Sequence, residues 1–146
     1  MAEEYSFRRN RIAGGIGADD GFWENLEDGT FAMCRCPDCK EWMWPALWRC
    51  PHCGGWEQEW VPVEPTGTVY SWTRSWYAFD RTRQRADEIP YVVVLAELEQ
   101  AGRARVLGQL TGPEDGLRVG ARVEAAIQPP SEKTLGYPSI RWRLTG

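Results

Sequence analysis

A mainly β fold in two parts is what this chain's pattern predicts: a short N-terminal helix and a small metal-clamped ribbon, then a closed five-stranded barrel. Two observations carry the prediction. Cys36, Cys39, Cys50 and Cys53 fall in the spacing C-x2-C-x10-C-x2-C. From Val61 onward, short runs of alternating apolar and polar residues recur between turn signals, as small strands do. The change of pattern divides the chain into a flexible arm at 1–17, a helix and ribbon at 18–60, and a barrel at 61–146.

The arm is polar and glycine-rich, as expected of a segment that is disordered or orders on a partner. Its Ser6-Phe7-Arg8-Arg9 stretch superficially resembles a twin-arginine signal, but residues 12–17 are too short and too glycine-rich to be a signal's apolar region. No stretch approaches the roughly 20 apolar residues of a membrane span. A cytoplasmic protein without a membrane partner is the expectation.

Residues 19–29 predict a short helix. Asp19 and Asp20 are placed to cap it, Phe22, Trp23 and Leu26 share one face, and Gly29 is placed to end it. A helix this short needs something to pack on, either its own domains or another subunit.

The ribbon follows from about residue 30 to residue 60. Two close cysteine pairs around a short loop can bring four thiolates to one ion, and zinc favours that tetrahedral sulfur set. A closed four-thiolate shell leaves no open position for a substrate, so the motif points to a structural zinc. Gly54 and Gly55 are expected to supply the left-handed backbone after the second pair. An odd total of five cysteines argues against a disulfide framework. Spacing favours Cys34 as a spare thiol over an alternative ligand. Below about 40 residues a segment rarely folds without a metal or disulfides, and metal binding in such modules contributes on the order of 10 kcal/mol.

Trp42, Trp44, Trp48, Trp56 and Trp60 surround the knuckles. A ribbon has too little core for all these rings, so some are expected at the joint with the barrel and some against a partner.

The barrel strands are expected at 68–77, 91–98, 103–110, 119–127 and 140–144. The second is apolar enough at its start to be buried on both sides. A turn at 99–102 and a turn-rich loop at 111–116 separate strands. Five strands of this length suit an OB fold.

Catalytic chemistry is sparse. The single histidine, His52, sits inside the second knuckle as a solvated turn residue. Neither G-x-G-x-x-G nor G-x-x-x-x-G-K-[ST] occurs. Arg81, Arg83 and Arg85 lie in a polar loop between the first two strands. They read first as a solvated charged segment; if a CoA phosphate is contacted, these and Arg74 are the candidates. A net charge of -4 leaves no general nucleic-acid footprint.

Several motifs together resemble one family. They are Phe22-Trp23 before a C-x2-C knuckle, Trp44-Pro45 before Cys50-Pro51-His52-Cys53-Gly54, the strand Gly67-Thr68-Val69-Tyr70-Ser71-Trp72-Thr73, Pro90-Tyr91-Val92-Val93-Val94, and Leu117-Arg118-Val119-Gly120. They look like the proteins of domain of unknown function 35 (DUF35), a rubredoxin-like zinc ribbon joined to an OB fold. The resemblance implies a non-catalytic accessory or bridging subunit of a thiolase-fold acyl-CoA enzyme: a thiolase, an acyltransferase or a steroid side-chain retro-aldolase. A hydratase or synthase is implied as a further partner, and a CoA thioester as a molecule contacted in the complex. Ala46, where a second proline and a basic residue are usual, the extra Cys34 and Arg35, and the tryptophan load depart from the family pattern.

Phe22, Trp23, Trp42, Trp44 and Trp48 are the candidate partner anchors, because buried tryptophans dominate interface energetics. The competing reading is a single-stranded nucleic-acid module stacking bases on Tyr70, Trp72 and Trp76, which the acidic balance opposes.

Overall fold

The computed structural model describes residues 17–146, without the side chain of Arg81. The expected arm lies outside the described residues except for Gly17. Helix α1, Asp20–Glu27, is followed by strands β1 (Ala32–Arg35) and β2 (Glu59–Pro62), which pair antiparallel with Cys34 opposite Trp60. The cysteine knuckles lie between them. β2 runs through the point near residue 60 where the sequence pattern changes.

α1 forms where expected, but its start differs. Asp19 occupies the N-cap position without a side-chain cap, and its carboxylate instead accepts a hydrogen bond from Trp23 Nε1 at 3.0 Å. This ties the indole to the helix's first turn. Gly29, at φ +78°, closes the other end and donates its N–H to the Leu26 carbonyl.

Five strands close the barrel in the order β3 (Thr66–Ser75), β4 (Tyr91–Leu98), β5 (Ala104–Leu110), β7 (Ser139–Leu144) and β6 (Arg122–Gln128), with β6 returning to β3. All these pairings are antiparallel except β5 with β7, which pair parallel through Gln109–Arg141 and Leu110–Trp142. β3 starts and stops two residues before the expected limits. Thr66, Gly67 and Thr68 pair with β6 and so close the barrel. The far end stops at Ser75 because its partner begins at Tyr91, after a proline that has no N–H to extend the ladder. Trp76 and Tyr77 therefore lie outside the strand and are exposed.

β4 is not buried on both sides. Val92, Val94, Ala96 and Leu98 face the barrel interior, while Tyr91, Val93, Leu95 and Glu97 are half-buried on the outside. The outer apolar residues reflect partial cover by neighbouring elements: Val93 and Leu95 line two surface grooves that Trp23 also borders. The charged 81–85 segment belongs to a 3-10 helical stretch, Asp80–Glu88, rather than to an irregular loop.

One core joins helix, ribbon strand and barrel. Phe22 and Leu26 pack in the same cluster as Phe31, Met33, Val94, Val106 and Trp142. A second cluster holds Cys34, Cys36, Met43 and Cys50, and Trp44 and Trp60 pack against both. Across the joint, Trp42 covers Gly102 in the β4–β5 turn, whose φ is +64° and where an added Cβ would lie 2.5 Å from the indole.

Trp142 is fully buried. Its ring occupies the space a side chain at Gly108 would need, since a Cβ there would lie 2.7 Å from Trp142 Cδ1 and 3.0 Å from the Ile140 carbonyl oxygen. Gly108→Ala is therefore expected to lower stability by about 1–3 kcal/mol through overpacking. Denaturant unfolding followed by near-UV tryptophan signal checks this, and an unchanged midpoint would show that the Trp142 packing yields at no cost.

Candidate metal centre and surface sites

The two knuckles are built alike. Lys40 N–H donates to the Cys36 carbonyl and Gly54 N–H to the Cys50 carbonyl, each at 2.9 Å. Cys36 N–H and Cys50 N–H donate in turn to the Glu41 and Gly55 carbonyls, each at 2.8 Å. The residue after the second cysteine is left-handed in both turns, Lys40 at φ 66° and Gly54 at φ 81°. Gly55 plays a different part from the expected one. It is not left-handed but admits Asp38, whose Oδ2 would lie 2.6 Å from a Cβ there.

This backbone places the four sulfurs of Cys36, Cys39, Cys50 and Cys53 within 4.8 Å of one another. Cys36 Sγ is 3.6 Å from Cys53 Sγ, and Cys39 Sγ is 3.6 Å from Cys50 Sγ. A tetrahedral zinc with Zn–S of about 2.3 Å needs sulfur separations of about 3.8 Å, so the donor set fits that ion. The Cys50 thiol is drawn down to about 6, first by the Cys53 backbone N–H, against burial, and then by that of His52. At Cys50, backbone donors thus favour the thiolate that a metal requires. His52 is exposed and is not one of the clustered donors.

Cys34 is not part of the cluster. It is fully buried on β1, and burial, followed by the charge of Cys36, pushes its thiol up to about 11.

The candidate arginines are not brought to one point. Arg74 pairs with Glu114 and lies 5.9 Å from the Trp72 ring centroid. Arg83 pairs with Asp80 at 2.6 Å on an exposed turn. Arg85 binds Glu88 at 2.6 Å, donates to Gln109, and lies 5.4 Å from the Tyr91 ring centroid. The side chain of Arg81 is outside the described residues.

Four of the five candidate anchors turn toward the protein's own core. Phe22 is buried, with its ring 4.6 Å from Trp44 and 5.0 Å from Trp23. Trp23, Trp42 and Trp44 are half-buried against the same core. Trp48 keeps an exposed ring, with Leu47 and Trp56 also exposed on the ribbon. A further exposed set runs along β3 and beyond: Tyr70, Trp72, Trp76, Tyr77 and Phe79. Arg105 caps Tyr70 at 3.6 Å from its ring centroid.

The fold and donor set define a class of protein, a four-cysteine ribbon packed on an OB barrel. Two family models match in chain order: the rubredoxin-like zinc ribbon domain of ChsH2 over residues 23–57, and the C-terminal OB-fold domain of ChsH2 over residues 60–128. The chain belongs to this ChsH2-type DUF35 family. Among solved structures it resembles "Ltp2-ChsH2(DUF35) aldolase" with a TM-score of 0.75 and 25% identity, over 92% of this chain and 98% of that one. It also resembles a DUF35 protein of unknown function from Sulfolobus solfataricus, with a TM-score of 0.60 and 18% identity, over 94% and 92% of the two chains. A curated relative, the "probable enoyl-CoA hydratase alpha subunit" of Thermomonospora curvata, is 33% identical over 89 residues, 60% of this chain. The match spans only 27% of that relative.

Cys50→Ser is expected to abolish stoichiometric metal binding and unfold the ribbon, read by elemental analysis and circular dichroism; one ion per chain in the variant would refute the ligand set. Cys34, in contrast, is expected to resist alkylation at neutral pH in the folded protein. Mass spectrometry after iodoacetamide treatment checks this, and rapid labelling would place the thiol at the surface.

Proposed function

We propose that the chain is a non-catalytic accessory subunit of a thiolase-fold acyl-CoA enzyme, carrying a structural zinc and shaping the acyl-CoA channel of the complex. The single observation behind this reading is the similarity along nearly its whole length to a chain of a solved Ltp2-ChsH2 aldolase. A relative named as a hydratase subunit supports acyl-CoA chemistry and a hydratase as a further partner. Four sulfurs around one ion leave no coordination site for a substrate, which fits a scaffold better than a reaction centre.

Phe22 serves the internal core, so the docking role on the ribbon falls to Trp48 with its neighbours Leu47 and Trp56. Trp44, wedged between the two clusters, would affect docking by holding the ribbon's angle to the barrel. For CoA phosphates, Arg83 is the readiest of the candidates. Its pairing with Asp80 is solvent-exposed, and exchanging such a pair for a phosphate costs little.

Affinity purification of the tagged protein from its native cell, with mass spectrometry and sizing, tests the proposal. A stoichiometric thiolase-fold partner is expected, and Trp48→Ala should weaken that complex by roughly thirtyfold or more, as an interface anchor does. A solitary chain, or one carrying nucleic acid that salt removes, would overturn the reading.

A further inference from the structure

A groove of about 390 Å³ lies over the outer faces of β4, β5 and β7, between α1, the Asp80–Glu88 stretch and the loop at 129–138. That volume is within the range of small-molecule sites, about 300–1,000 Å³. In OB barrels, the face flanked by the loops after the first and fourth strands is a favoured ligand position, and both loops border this groove. Its walls are mainly apolar. Trp23 and Tyr137 meet edge to face at 4.8 Å, and Leu107, at 64% exposure, opens onto them from β5.

Two polar features stand out against these walls. Ser139, which lines the groove, has a buried Oγ with no hydrogen-bond partner among the described residues, an unfavourable arrangement that a ligand relieves once the hydroxyl turns about χ1 toward the groove. Arg85 and Arg141 also line the groove and share a single carboxylate, Glu88, at 2.6 Å and 3.6 Å. Arg141 is 12% exposed and also donates to Gln128 at 2.9 Å. Burial, followed by the charge of Arg85, holds its pKa below the usual guanidinium range, as expected of a buried cation beside a like charge. Lys133 at the same rim is matched by Asp87 at 2.6 Å, so the pair around Glu88 is left with one positive charge in surplus.

We propose that this groove binds an amphipathic anion, with an apolar acyl or alicyclic body against Trp23, Tyr137 and Leu107, its anionic group at Arg141 and Arg85, and a hydrogen bond at Ser139 Oγ. The inference deepens the acyl-CoA reading and rests on it for the choice of an acyl body. The anion is either the carboxylate of a free acid or a phosphate of a CoA thioester, and both present the same charge to the arginine pair. None of these groups is among the candidates that the sequence alone singles out, apart from Trp23 and Arg85. Their grouping comes from five separate elements: α1, the Asp80–Glu88 stretch, β5, the loop at 129–138 and β7.

Calorimetric titration of the full-length, metal-loaded protein with decanoate, decanoyl-CoA and CoA tests this. Saturable binding of decanoate supports a free acid as the source, and binding of decanoyl-CoA alone supports the thioester. Leu107→Glu, at an exposed position, and Arg141→Gln should each weaken that binding at least tenfold. CoA binding as tightly as decanoyl-CoA, no binding of any probe, or unchanged affinity in the Leu107→Glu protein would each overturn the inference. Should Arg141→Gln fail to fold, the Leu107 variant decides. Co-purification of Leu107→Glu with a thiolase-fold partner would keep the accessory role standing when the groove fails, so the two failures can be told apart.

Discussion

The four-sulfur clamp is the constraint on which the rest of the molecule depends. A segment the size of the ribbon has too little core to fold by apolar burial alone. What it does bury, Met43, Ala46 and Cys34 beside the knuckles, is small. Yet this segment carries Phe31 and, close to it on β1, Met33, which enter the barrel's core, and Trp44 and Trp60, which pack on both clusters. Closing the clamp thus sets the strand that plugs the barrel and seats α1. A perturbation at the sulfurs is expected to reach the helix through Phe31, Phe22 and Trp44 rather than stay local.

The tryptophans divide between two kinds of work. Trp142, Trp44, Trp60, Trp42 and Trp23 fill the barrel or its joints, where a large ring adds much buried apolar area. Trp48, Trp56, Trp72 and Trp76 remain exposed. The two groups do not separate by position in the chain. Trp42 and Trp48 flank the same loop, yet one covers the β4–β5 turn and the other faces outward. The exposed aromatics on β3 are accompanied by arginines from the chain itself, Arg105 at Tyr70 and Arg74 near Trp72. Those guanidiniums occupy ring surface that base stacking would use.

Charge is arranged mostly in local pairs. Glu97 answers Arg103 and Arg105, and Glu59 answers Arg35 and Lys40, with both carboxyls held below their usual range, first by hydrogen bonds from Arg105 and Arg35 respectively. The pairs with exposed cations, at Lys40, Arg103 and Arg105, contribute little stability, and all of them leave a patchwork surface. The carboxylate that Arg85 and Arg141 share follows the same two-to-one pattern and differs in its second cation, since Arg141 is itself only 12% exposed.

The sequence by itself determined which four cysteines cluster, the number of barrel strands and their succession along the chain, and the placement of α1. These follow from patterns within a few residues: sulfur spacing, alternation, and a helical face ended by a glycine. Only the tertiary structure decided which aromatics are core, because Phe22 and Trp48 are alike in the sequence and differ only in what the folded chain lays against them. It also decided how the barrel closes. The parallel β5–β7 pairing and the early start of β3 depend on partners more than 30 residues away. The groove at Ser139 and Arg141 was illegible for the same reason: Ser139, Tyr137 and Leu107 carry no motif, and their chemistry exists only where α1, β5, β7 and two loops converge.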